Sequence, residues 1–361
     1  MFPMIYTLYG FAIFFFVFWC GKWVVHLIAI SCGKWKLYRK IVPLPPEVPC
    51  PGVSILKPLM GMDPNLYSNL ETFFTQSYPL FEILLCIEDE SDPAIMVVRR
   101  LMNKYPNVDS TLFTVKEDTL LDMVSHMTAK VGLVHQMPFT CDREGFAAAL
   151  EKIYFGTVQA RMYLSADFLK IVCHTGMSTL IRKSIIDEAG GLAAFGCYLA
   201  EDFFLARSIT DHGWKTCISS QPAWQNSGIC EVRSFLARLT RWAKLRVAMV
   251  PFTIVLEPLS ECMVLGACAS WAASFLFNLE PCSFYLVHIL VWFLLDWILL
   301  SIVQNGSLPF SKFDFVVGWL FREISSPYLF LLALWNPAIK WRARTYRLQW
   351  GGVAEELNSK L

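Results

Sequence analysis

The sequence predicts an α/β domain with a mostly parallel sheet, held to a membrane by transmembrane helices. Two observations carry this expectation. Charged residues make up only 17% of the 361 residues and apolar residues 55%, with a mean hydropathy of +0.45. A soluble domain carries about 25% charged residues. Between an apolar N-terminal run and a set of apolar runs near the end, strand-like and helix-like segments alternate, the pattern of parallel strands joined by crossover helices. The reading divides the chain into an anchor (1–40), an α/β domain (41–250), a second membrane region (251–340) and a tail (341–361).

Ile5 to Cys32 is apolar apart from Lys22, and a span needs about 20 such residues. With no basic stretch before it and no small-residue cleavage site after it, the run reads as an anchor and not a cleaved signal. Lys34, Lys36, Arg39 and Lys40 follow, which places that flank in the cytosol. Cys262–Phe277, Cys282–Val303 and Phe313–Trp335 are the later apolar runs. The second contains His288 and Asp296, residues that face protein or water inside a span. The third contains Arg322, Glu323 and Pro327 and reads as re-entrant or interfacial. A cytosolic tail bearing Lys340, Arg342, Arg344 and Arg347 requires an odd number of crossings; three are expected.

In the middle region, five prolines between Pro43 and Pro51 form an extended linker. Strands are expected at Val53–Lys57, Glu82–Ile87, Ser110–Val115, Val131–Gln136, Ser178–Arg182 and Trp214–Ser219. Helices are expected at Asn65–Gln76, Ala94–Lys104, Glu117–Met127 and Ile185–Ala189, and from Glu201 to Gly213. The strand at 110–115 runs straight into a helix. Asp89 and Asp92 fall at the carboxyl end of a strand, where parallel sheets bind ligands; solvated loop acids are the plain alternative. The net charge of +1 gives no reason to expect nucleic acid as a partner. Twelve cysteines without a Cys-x-x-Cys pair argue against a zinc site and a disulfide scaffold. No phosphate loop, dinucleotide fingerprint, zinc-protease motif or nucleophile elbow is present.

Two constellations have chemical content. Glu201–Asp202 opens a helix, where acids complement the dipole; Asp202 is equally a base able to take a proton from an attacking hydroxyl. Arg238, Arg241 and Trp242 share a helix face. They form either a basic helix on a membrane surface or a cationic cradle for a diphosphate leaving group, with Lys244 and Arg246 nearby. His135 ends an apolar strand, where a lone histidine is more often a satisfied core residue than a functional one.

Several stretches resemble the ceramide glucosyltransferase family. In the first half they are Gly52-Val-Ser-Ile-Leu-Lys57-Pro-Leu, Asp63-Pro-Asn-Leu, Asn69-Leu-Glu-Thr-Phe-Phe, Asp92-Pro-Ala-Ile, Lys104-Tyr-Pro-Asn-Val-Asp and Val131-Gly-Leu-Val-His135. In the second half they are Phe155-Gly-Thr, Thr175-Gly176-Met-Ser, Ala200-Glu201-Asp202-Phe-Phe, Arg238-Leu-Thr-Arg241-Trp242, Tyr346-Arg-Leu and Gly351-Gly-Val-Ala-Glu-Glu. The resemblance implies a GT-A (Rossmann-like) catalytic domain facing the cytosol on Golgi membranes, in a multi-pass protein. It implies transfer of glucose from UDP-glucose to the primary hydroxyl of ceramide, a membrane lipid, with inversion and a divalent cation (Mn2+ or Mg2+). It implies that Lys57, Asp89 and Asp92 serve the nucleotide sugar. His135, Gly176 and Glu201 would belong to the substrate region. Asp202 is the implied base, and Arg238, Arg241 and Trp242 match the final motif.

One family element is missing. A second aspartate on a short acidic strand, preceded by a basic, asparagine-rich loop, belongs near Val115–Lys116, and the chain contains no Asp-x-Asp. The expectation is an internal deletion, with the metal ligand unassigned and catalysis very weak or absent. Two other readings stand beside this one: an impaired isoform that binds lipid or pairs with an active copy as a homo-oligomer, and a related processive polysaccharide synthase. A synthase needs more spans than this chain offers.

Overall fold

The computed structural model describes residues 2–40, 50–59, 61–76, 78–87, 92–105, 119–225, 231–341 and 344–357. Asp89, the strand expected at 110–115 and the junction at 115–116 lie outside these residues.

The chain opens with helix α1 (Phe2–Lys36). Its 35 residues extend about 52 Å, against a hydrocarbon layer of about 30 Å, so one end continues beyond any bilayer. At that end Ala29 and Cys32 are buried among residues of the α/β domain. The first half of that domain is β1 (Val53–Leu59), α2 (Leu66–Phe74), β2 (Phe81–Ile87) and α3 (Ala94–Lys104). Strands β1 and β2 pair in parallel, and Leu70, Phe73, Ile83 and Leu101 fill the layer between strands and helices. The strands and helices expected from the sequence match these four elements to within a few residues.

Next come α4 (Thr119–His126), β3 (Val131–His135) and β4 (Pro138–Thr140). A long helical element follows: α5 (Phe146–Tyr154), a π-helical turn at Phe155–Gln159 and α6 (Ala160–Leu169). The domain continues with β5 (Thr179–Ile181), α7 (Lys183–Glu188), α8 (Glu201–Asp211), β6 (Lys215–Ile218) and β7 (Ala223–Gln225). The sheet is not one continuous parallel surface. Strand β3 pairs in parallel with β6 and antiparallel with β5, β4 pairs in parallel with β7, and β1–β2 forms a separate pair. Parallel pairing thus dominates, as expected, but among the described residues it is divided between small sheets. The side chains of Val53, Leu120, Val124 and Leu180 meet where the first pair and the β3 sheet adjoin.

Helix α9 (Val232–Met249) leads through the short α10 (Thr253–Leu256) to α11 (Cys262–Phe277), α12 (Pro281–Gln304) and α13 (Lys312–Trp335). By length and composition α1, α12 and α13 are each able to cross a membrane, and α11 is a shorter apolar helix. The third late run is therefore one continuous helix through Pro327. Arg322 and Glu323 do not interrupt it, because both are buried and paired. The tail is also structured: β8 (Ala338–Trp341), β9 (Arg344–Leu348) and β10 (Ala354–Glu356) form an antiparallel sheet.

The element from Phe146 to Leu169 joins domain to membrane helices, and polar side chains make the joints. Lys152, 1% exposed, binds Asp142, the Thr140 carbonyl and Gln304 of α12. Arg161 binds Asp296 of α12 at 2.8 Å. Asp167 pairs with Lys36 of α1. Asp296 also accepts from Trp319 (2.9 Å) and Arg322 (3.3 Å) of α13 and faces His26 of α1 (3.3 Å). A buried charge is tolerated only when paired in this way. Gly156 permits the closest approach: a Cβ there would lie 2.2 Å from Leu300 Cδ1.

Candidate active site

Asp202 lies in the first turn of α8. Its Oδ2 accepts the backbone N–H of Gly176 at 2.5 Å and its Oδ1 that of Phe203 at 2.7 Å. Gly176 is needed there, since a Cβ would sit 3.1 Å from Asp202 Cβ. Burial raises the Asp202 pKa, with the bonds from Gly176 and Phe203 opposing it. Glu201, its neighbour, is exposed.

Behind this turn lies a buried polar group. Tyr163, on α6, shares a hydrogen bond of 2.5 Å with the Thr175 hydroxyl. Its ring is 5.6 Å from that of His135, which in turn packs edge-on against His174 at 5.0 Å. Burial lowers the pKa of His135 to about 4; burial and then His135 lower that of His174 to about 3. Both imidazoles are therefore neutral at pH 7. His174 is held by Thr179 at 3.1 Å. The structure thus brings His135, Gly176 and Asp202 together through Tyr163, His174 and Thr175. Thr175 opens the Thr175-Gly176-Met-Ser stretch noted in the sequence, and His174 immediately precedes it. Tyr163 had no local signal.

Arg238, Arg241 and Trp242 lie on α9 as expected. Arg238 is ion-paired with Glu151 of α5, and its guanidinium lies 5.6 Å from the Trp242 ring centre. Burial, then Arg241 and Arg143, lower its pKa to about 10, so it remains charged. Arg241 is half-buried, and burial lowers its pKa. Trp242 packs on Phe155 on one side, at 6.1 Å between ring centres, and joins the cluster of Ala200, Phe203 and Ile339 on the other. The acidic turn and the basic helix therefore adjoin through Trp242. The tail closes this cluster from outside: Ala354 N–H donates to the Cys197 carbonyl, and Gly352 (φ +85°) lies where a Cβ would be 2.8 Å from Phe204.

The nucleotide-side candidates stand on the other sheet. Lys57, on β1, has its pKa lowered to about 8 by burial. Asp92 accepts from Gly61 N–H at 2.7 Å and from Ala94 N–H at 2.8 Å, clasping the end of β1 to the start of α3. No group of three His, Cys, Asp or Glu side chains among the described residues could hold a metal ion. Glu88, Asp89 and Glu90, the acids nearest Asp92, lie outside the described residues, so the described donors alone offer no site for the divalent cation the family resemblance implied.

An acid held at a helix start, a cationic aromatic helix beside it and a set of apolar helices define a membrane-attached transferase. The chain belongs to glycosyl transferase family 21, whose profile matches residues 21–115 and 113–354. It is 39% identical over 373 aligned positions to ceramide glucosyltransferase 3 of Caenorhabditis elegans, covering 93% of this chain and 81% of that protein. It is 40% identical over 367 positions to ceramide glucosyltransferase 1 of the same organism, covering 91% and 78%. A solved structure, the mannosyltransferase PcManGT of Pyrobaculum calidifontis in complex with GDP-Man and Mn2+, is similar at 13% identity and a TM-score of 0.48. It covers 88% of this chain and 99% of that one.

Proposed function

We propose that the chain carries the acceptor half of an inverting glucosyltransferase site, specific for ceramide with UDP-glucose as donor, and that it lacks most of the donor half. The observation behind the acceptor half is Asp202. Its carboxylate is fixed by two backbone N–H groups, is made more basic by burial and sits one cluster away from Trp242. Each oxygen keeps a lone pair for an incoming hydroxyl. In the reaction, Asp202 takes the proton of the ceramide primary hydroxyl as its oxygen attacks the anomeric carbon, and UDP departs with the bonding electrons. Arg241 faces the diphosphate, and Arg238, tied to Glu151, keeps the helix in place. Lys57, Asp89 and Asp92 are assigned to the nucleotide side, and His135, Gly176 and Glu201 to the substrate region.

Two facts support loss of the donor half: the absence of Asp-x-Asp, and a family match that falls into two segments meeting at residues 113–115. Cation stabilisation of the leaving diphosphate is worth several kcal/mol, so turnover falls on the order of 100-fold or more. We place the domain on the cytosolic face of Golgi membranes. Residues 1–40 form the anchor, 41–250 the transferase domain and 251–340 the second membrane region, with 341–361 as a cytosolic tail. The test is glucosylation of short-chain ceramide from UDP-glucose by membranes containing this chain, with Mn2+ or Mg2+. Turnover equal to that of an intact relative would overturn the loss of the donor half. Incorporation equal to the Asp202→Asn control would leave the second reading, a lipid-binding partner without activity of its own.

A further inference from the structure

Helix α13 is long enough to cross a bilayer, at 24 residues or about 36 Å. Its contacts argue otherwise. Its first half packs against α5 of the catalytic domain: a Cβ on Gly318 would lie 2.6 Å from Ile153 Cδ1, and Phe321 meets Phe146 at 5.7 Å between ring centres. Its second half packs against α9, where Phe330 and Ala333 join Ala243 and Val247. Beyond Trp335 the chain passes directly into β8, whose Ala338 carbonyl accepts from Lys244 of α9 at 2.7 Å. Both ends of α13 are therefore tied to the same domain. Against α12 it touches at one crossing, where Phe315 and Trp319 meet Phe293, Trp297 and Asp296. By contrast, α12 runs beside α1 over about two turns, from Trp19–His288 through Trp23–Trp292 to His26–Asp296. Helix α11 packs antiparallel beside the other half of α1, with Trp271 on Phe15 and Phe275 on Tyr9.

The outer face of α13 is a single apolar stripe. Val317, Leu320, Ile324, Tyr328, Leu331 and Trp335 are all exposed, at three- and four-residue spacing along the helix, and Trp335 is 90% exposed. The charged pair Arg322–Glu323 points the other way, onto Asp296 and the α11 start, where Glu323 accepts from Met263 N–H at 3.4 Å. A second exposed apolar group, Phe252, Val255 and Leu256, lies at and just before α10, a few residues ahead of α11. It is continuous in sequence with a membrane helix, as α13 is.

We propose that α13 does not cross the membrane. It lies along the leaflet on the catalytic-domain side, its stripe buried in the hydrocarbon of that leaflet and its charged pair turned into the protein. α1, α11 and α12 make the three crossings. An in-plane helix with one apolar face binds in proportion to the apolar area it inserts, so this surface fits lipid acyl chains and not a protein partner. The inference is independent of the proposed catalysis, because it concerns only which side of the membrane each connection occupies.

The experiment places an N-glycosylation acceptor, with polar spacers, in turn at three positions of the full chain: the 278–280 connection, the 305–311 connection and an extension after Leu361. The lumenal face alone is glycosylated. The expected result is modification at 278–280 and at neither of the other two. Modification at 305–311 and after Leu361, but not at 278–280, supports the in-plane helix equally and overturns the proposed cytosolic orientation instead. Modification at only one of 305–311 and the C-terminal extension means that α13 crosses, and overturns the inference. The extension adds nothing inside the fold. Protease protection of an epitope placed there gives a second reading if an internal insertion prevents folding.

Discussion

Glu151 binds Arg238 through one carboxylate oxygen and Arg143 through the other. Arg238 belongs to the Arg-x-x-Arg-Trp motif, so the motif's first arginine is fixed to α5 by an acid that is 1% exposed. Glu151→Gln removes the carboxylate charge that faces both guanidinium groups. Breaking a buried pair this way costs about 3–5 kcal/mol. The thermal midpoint of the detergent-solubilised protein should fall clearly, and an unchanged midpoint would show that the pair has no structural weight.

Inserting between Val115 and Lys116 the segment that we propose this chain lacks, taken from a Caenorhabditis elegans relative, should raise glucosylation by about 100-fold or more. Within that restored chain, Asp202→Asn should lower kcat by about 100- to 10,000-fold, the usual contribution of a general base. If the restored chain is active and the Asp202→Asn variant matches it, Asp202 is not the base.

His135 and His174 make stability depend on pH. Their folded pKa values, about 4 and about 3, lie below the ordinary 6.5. The unfolded chain therefore binds more protons on acidification, and stability present above pH 6.5 is lost as pH falls toward 4. His135 alone accounts for about 3 kcal/mol of this. Denaturation midpoints between pH 7 and 4 should show the slope, and His135→Gln should flatten it. A parallel slope in that variant would assign the effect elsewhere.

Gly156→Ala forces a methyl group against Leu300, which is completely buried. Overpacking costs about 1–3 kcal/mol, offset in part by the better helix propensity of alanine, about 1 kcal/mol. Adding Leu300→Ala should recover stability relative to Leu300→Ala alone. Strict additivity of the two substitutions, measured by thermal unfolding, would refute the contact.

Much of this was legible locally. The helical spacing of Leu66, Leu70, Phe73 and Phe74 specified α2, because a half-buried element repeats its burial pattern along the chain. The His135 strand end, the Glu201 helix start and the α9 helix were legible for the same reason. The element from Phe146 to Leu169 was not. Its buried Glu151, Lys152, Arg161 and Asp167 look like a solvated surface until their partners on α1, α9 and α12 are known. The tail sheet was also missed, since its three strands are short and depend on packing against the α8 turn.

The sequence by itself determined the membrane attachment, the acid at the start of α8, the Arg-x-x-Arg-Trp face and the absence of Asp-x-Asp, since each is a matter of composition or of neighbours along the chain. Only the tertiary structure decided that Tyr163 and His174 pack beside His135 and that Glu151 pairs with Arg238, and that a 24-residue apolar helix has both ends tied to the α/β domain. The reason is physical: a buried charge is stable only beside its partner, and here such a partner can lie 152 positions away, as Gln304 does from Lys152.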